Sequence, residues 1–165
     1  MNDPATVKEE YLPTLVLPLR DSALVLPSHC VAEVMMAGSI EAEESSPHLL
    51  GFANWREREL PVLSFEALRD GQLPQQFRAR QLAVLNAIGG AEGMSHFAVA
   101  VSAMPHHWEL SEDQVETLEV PDDLQSPAIQ GMIKVAGQSL VVPDWDYLQQ
   151  QAMNAYQQRQ PDSSD

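Results

Sequence analysis

The sequence predicts a mainly β protein built from two similar subdomains, each a small twisted sheet or partly closed barrel, with only short helices. Two observations carry that expectation. Short apolar runs of strand character recur along the chain and stop at turn-forming residues. In addition, the stretch Ser46–Leu68 returns without a gap as Ser126–Leu148, an offset of 80 residues. Both copies open on Ser-Pro; Gly51 falls on Gly131, Leu60 on Leu140, Val62 on Val142, Phe65 on Trp145 and Leu68 on Leu148. Shared hairpin grammar explains some apolar matches, but not Ser-Pro and Gly together.

The elements follow in order. TLVLPLRD and SALVLP read as strands joined at Asp21-Ser22, and Ser28 is placed to cap a short helical turn through Val31 and Val34. SIEAEESSP, residues 39–47, is an acidic connector. GFANW and ELPVL flank a turn at Arg56-Glu57, after which Ser64 caps a brief helix, FEALRD, ended by Gly71. Beyond a linker containing Pro74, RQLAVLNAI and SHFAVAVSAM surround the Gly-rich turn 89–93. Ser111 and Gln114 have capping-box spacing. IQGMIKV and QSLVVP turn at Ala136-Gly137, and Asp144 caps the final helix, WDYLQQQAM. The folded part is therefore expected over 11–150, as intertwined subdomains of about 14–80 and 81–150, between flexible termini 1–10 and 154–165.

Bulk properties exclude several function classes. A chain of 165 residues, 44% hydrophobic and 20% charged, is of single-domain size and globular composition. Nine basic against 24 acidic residues give a net charge of −15, which repels phosphate backbones and anionic lipid, so no nucleic acid partner and no membrane insertion are expected. One cysteine, an N-terminus without a signal-peptide core and the lack of a long apolar run lead to a cytoplasmic expectation.

Catalysis finds no constellation. Of the five histidines, adjacent His106 and His107 point to opposite faces of a strand, and no metal-ligand spacing supports any of them. Cys30 beside His29 reads as a small core residue, and Gly89-Gly90-Ala91-Glu92-Gly93 lacks the Lys and Ser/Thr of a phosphate loop. Catalytic, cofactor-binding and metal sites are all expected to be absent. What remains is the first repeat's tip. Where the second copy turns through bland Val135-Ala136-Gly137-Gln138, the first carries Asn54, Trp55, Arg56, Glu57 and Arg58. Folding tolerates the bland version, so these five residues are the candidate partner-binding site; a merely solvated turn is the alternative.

Three stretches, VAEVM with the two strands before it, LLGFANWRERELPVLSFEAL, and HFAVAVSAMPHHWEL followed by IQGMIKVAGQSLVVPDWDYL, resemble the CheW-like domain family over about residues 11–150. The most specific block is Gly51–Leu63, similar to the family's G-x-x-x-x-R-G-x-x-x-P-V, with Arg56 on the arginine and Pro61-Val62 on the Pro-Val. The resemblance implies two five-stranded, SH3-like β-barrel subdomains around a shared hydrophobic seam. It also implies a cytoplasmic adaptor that couples the cytoplasmic tips of methyl-accepting chemoreceptors to the regulatory domain of a histidine kinase, binding both. The receptor groove is expected near the subdomain junction, and acidic, short members of pilus-associated (twitching motility) systems look similar. One departure stands out: the family's glycine after the arginine is Glu57 here, whereas the second copy keeps Gly137. Two other classes remain open on the residues alone, a β-barrel that binds a small molecule in its seam and a purely structural assembly protein.

Overall fold

Period-two patterning with one buried face yields twelve strands among the described residues, arranged as the same plan run twice along the chain. In the computed structural model, which describes residues 10–38, 40–42, 48–73, 79–88 and 93–159, β1 (Tyr11–Pro18) and β2 (Ala23–Pro27) form the first hairpin. Then come β3 (Val31–Met36), the short β4 (Glu41–Ala42), the hairpin β5 (Leu49–Trp55) and β6 (Arg58–Leu63), and helix α1 (Phe65–Asp70). The second half repeats this with β7 (Gln81–Asn86), β8 (His96–Val101), β9 (His106–Ser111), β10 (Val115–Leu118), the hairpin β11 (Ile129–Val135) and β12 (Gln138–Pro143), and helix α2 (Trp145–Arg159).

The strands make two six-stranded sheets, ordered β4-β5-β6-β8-β7-β3 in the central sheet and β10-β11-β12-β2-β1-β9 in the flanking sheet. The two orders correspond position by position. Each sheet takes four strands from one half of the chain and admits the leading hairpin of the other half. The guest hairpin enters in parallel beside the host's last strand, at Val62↔Ala98 in one sheet and Leu24↔Val141 in the other. The repeat seen in the sequence extends to register: Gly51 faces Val62 and Gly131 faces Val142, each just after a register shift at the start of its hairpin. Each sheet thus draws strands from both halves of the chain, and the described residues give each of them six strands. Strand patterning shows which face is apolar but not which neighbour it joins.

Alternation along the strands divides the apolar residues into a seam and two sheet interiors. On β7, Ala83 and Leu85 face the seam while Leu82 and Val84 face the interior of the central sheet; on β1, Leu15 and Leu17 face the seam and Val16 the other interior. Both helices complete the seam, burying Phe65 and Leu68 from α1 and Leu148, Ala152 and Met153 from α2. This is the shared hydrophobic seam that the family resemblance implies.

The caps form as read. Ser64 Oγ accepts from the Ala67 N–H at 3.2 Å, Asp144 Oδ1 from the Tyr147 N–H at 3.0 Å, and Gly71, at φ +83°, ends α1. Ser111 and Gln114 make a capping box, on a 3-10 turn. Two expectations are corrected. Ser28 starts only a 3-10 turn, and Val31 and Val34 lie in β3, because pairing with β7 outweighs local capping. Helix α2 also continues past residue 154 to Arg159. Ala155 is buried and Tyr156 packs on the seam, one turn beyond Ala152, so the apolar stripe outlasts the glutamine-rich composition. The remaining terminal residues, the acidic stretch 43–47, the Pro74 linker and most of the 89–93 turn lie outside the described residues. Among those described, no helix is long and apolar enough to cross a membrane.

Candidate functional site

The charged tip is held by an intramolecular clasp. Arg56 and Glu57 occupy the two turn positions between β5 and β6 at φ +49° and +63°, and Ala136 and Gly137 match them at +50° and +80°. Positive φ at both positions is the two-residue hairpin turn whose twist suits the flanking strands, and it favours glycine. Trp55 is only 7% exposed. Its indole N–H donates to Glu33 Oε2 at 2.9 Å, and the Arg56 guanidinium donates to Glu33 Oε1 at 3.2 Å while lying 4.7 Å over the Trp55 ring. Glu33 sits on the edge strand β3, across the sheet order from β5, so this one carboxylate draws the two ends of the central sheet together. The indole N–H first, and then Arg56, hold the Glu33 carboxyl below its ordinary range.

Around the clasp, His96 packs against Trp55 with the rings tilted by 55° and their centroids 4.6 Å apart. Arg58 donates to Ser95 Oγ, which also lies 2.8 Å from His96 Nδ1. Burial, and then the nearby Arg58 and Arg56 charges, push the His96 pKa down. In the flanking sheet the same position is apolar. Val135, at the place of Trp55, clusters with Trp108 on β9, the strand that corresponds to β3. One sheet interior is thus closed by a tryptophan and a valine, the other by a tryptophan, a carboxylate and an arginine.

Of the five candidate residues, Asn54, Arg56, Glu57 and Arg58 are exposed at the tip. Trp55 is not available as a contact face; it is the platform beneath Arg56. Arg56 pairs with Glu33, and Glu59 bonds Arg159 at 2.9 Å. Cys30 is a buried core residue, and burial pushes its thiol pKa up.

Two further grooves open away from the tip. The first, about 690 Å³, lies where the β8–β9 connection crosses between sheets, a crossing fixed by the Ser102 N–H bond to the Pro18 carbonyl at 3.0 Å. Met36 and Met104, 70% and 66% exposed, flank Gln81 at its floor. The second, about 570 Å³, opens on the flanking sheet among Tyr11, Leu12, Val25, Leu110, Val115 and Ile133, with Tyr11 and Leu12 about half exposed. Sequence reasoning missed Glu33, Met36, Gln81 and Met104. The only signal was an acid inside the apolar VAEVMM run, a methionine at that strand's end and another in the β8–β9 connection, and register is needed to bring positions 33, 55 and 56, or 36, 81 and 104, together.

Comparison with known proteins agrees with this architecture. A family model described as the CheW-like domain matches residues 13–153. The fold is similar to the crystal structure of the scaffolding protein TtCheW from Thermoanaerobacter tengcongensis, with a TM-score of 0.66 at 14% identity, covering 87% of this chain and 90% of that one. No curated protein sequence matches.

Proposed function

The chain belongs to the CheW-like domain family, and from that premise we propose that it is a non-enzymatic cytoplasmic adaptor coupling chemoreceptors to a histidine kinase in a chemosensory system. The observation that carries the reading is that each sheet presents a separate groove with exposed apolar side chains, Met36 and Met104 on one and Tyr11 and Leu12 on the other. An adaptor needs two, because it must hold two partners at once. On the central sheet, the junction groove with Met36 and Met104 suits the apolar side chains of a receptor's helical hairpin tip; methionine adapts its shape to such partners. On the flanking sheet, the groove at Tyr11 and Leu12 suits a matching apolar surface on the kinase regulatory domain. Arg56, held over Trp55 with its side chain 68% exposed, offers donors at the charged tip. The seam, where a small molecule would otherwise sit, is filled by Phe65, Phe97 and Leu148 at zero exposure.

The test is co-purification of the full chain with receptor tip fragments and with kinase regulatory domains from the same genome. Binding to both is expected; binding to neither overturns the reading. Arg56→Ala should weaken partner binding by more than ~1 kcal/mol while leaving the melting temperature nearly unchanged, since an exposed ion pair contributes little to folding. Unchanged binding would reduce the tip to a solvated turn.

A further inference from the structure

Gln81 is the anomaly of the junction groove. Its side chain is only 6% exposed, yet its Oε1 is buried with no hydrogen-bond partner among the described residues. The Nε2 group meets only two thioethers, Met104 Sδ at 3.4 Å and Met36 Sδ at 3.9 Å. Every residue that follows it from Leu82 to Leu85 is apolar and buried, and its cross-strand neighbours are Met36 and Val101. An apolar residue would serve folding better at this position, because a buried, unpaired amide oxygen destabilises the chain that carries it. The sulfurs beside it belong to two flexible, mostly exposed side chains, which can swing aside without disturbing the strands.

We propose that Gln81 is a specificity-determining residue that reads a hydrogen-bond donor on the docked receptor tip; this rests on the adaptor reading above. The donor chemistry follows from the partner's shape. In a helical hairpin, the helix that leaves the turn begins with N–H groups that have no intrahelical acceptor. One such N–H, framed by apolar side chains packed on Met36 and Met104, satisfies the Gln81 carbonyl. Exposed Arg80 on the same rim faces the acidic side chains that helix first turns favour.

The experiment titrates the full chain and its variants with the receptor tip fragment that binds the wild type, alongside thermal melts. Gln81→Met, matched in length, should bind about ten-fold more weakly, yet melt at the same or a higher temperature. Gln81→Glu keeps an acceptor and loses the donor, so its binding should stay within about three-fold of wild type. Unchanged affinity in Gln81→Met overturns the proposal, as does equal loss in both variants, which would make the amide a donor. Met36→Ser with Met104→Ser separates the two levels. If that pair loses binding while Gln81→Met does not, the groove stands and the role of Gln81 fails; if none of these variants alters binding, the receptor docks elsewhere and the groove assignment fails with it.

Discussion

Exchanging the second residue of the two hairpin tips, Glu57→Gly and Gly137→Glu, should shift stability in opposite directions. Glu57 holds φ +63° and Gly137 φ +80°, so both need the left-handed region. A side chain there costs roughly 1–2 kcal/mol per residue. Glycine recovers that strain but gives back roughly 0.5–1 kcal/mol, because its unfolded chain is freer. The net gain for Glu57→Gly is about 0.5–1 kcal/mol, and Gly137→Glu should lose a similar amount. No contact complicates either change: Glu57 is exposed without a hydrogen bond or ion pair among the described residues, and a Cβ at Gly137 meets nothing within 4 Å. For a chain of this size the shift is about 1–4 °C, up for Glu57→Gly and down for Gly137→Glu. Reversible calorimetry at one pH and salt concentration reads both, with Glu57→Gln controlling for the lost charge. Movement in the same direction, or a lower melting temperature for Glu57→Gly, would refute the strain argument.

Other perturbations follow from the same geometry. Gly51→Ala should destabilise by several kcal/mol or abolish folding, because its Cβ would lie 2.0 Å from the Glu41 carbonyl oxygen at φ +148°. Gly131→Ala, at the repeat-equivalent position with nothing within 4 Å, should melt within a few degrees of wild type. Glu33→Gln should cost stability at neutral pH, and the difference from wild type should shrink in melts taken at progressively lower pH. A carboxyl with a depressed pKa stabilises fully above its ordinary value of 4.5 and stops doing so as pH falls through its folded value. Ending the chain after Asn154 should lower the melting temperature, since it removes buried Ala155 and the Arg159 contacts to Glu41 and Glu59. An unchanged melt would make the last helical turn dispensable.

Local grammar was legible in the sequence where one short segment determines the outcome. Ser64, Asp144 and Gly71 do at their helix ends what their side chains or backbone freedom dictate, and the repeat reached down to the register shift before Gly51 and Gly131. Seam and interior residues could be told from surface by alternation alone. The hairpin exchange was not legible, because β1 and β7 carry similar buried patterns and nothing in either specifies a host sheet. The charged tip was noticed for its contrast with the bland copy. Its meaning depended on Glu33, a residue 23 positions away that only sheet curvature brings to Trp55 and Arg56. Gln81 gave no sign, since a glutamine opening a strand looks ordinary until its oxygen is found to be orphaned.

The reciprocal exchange of leading hairpins has a consequence for synthesis. Within this domain β1 and β2 are synthesised before the strands they join, since their lateral neighbours are β9 and β12. Until β9 and β12 have been made, two apolar strands wait with bare edges, and the central sheet can finish beforehand without them. Neither half can mature alone. Closure needs contacts of long sequence separation, which makes folding slow, and a chain cut between α1 and β7 would give two fragments that must find each other before either acquires a finished core.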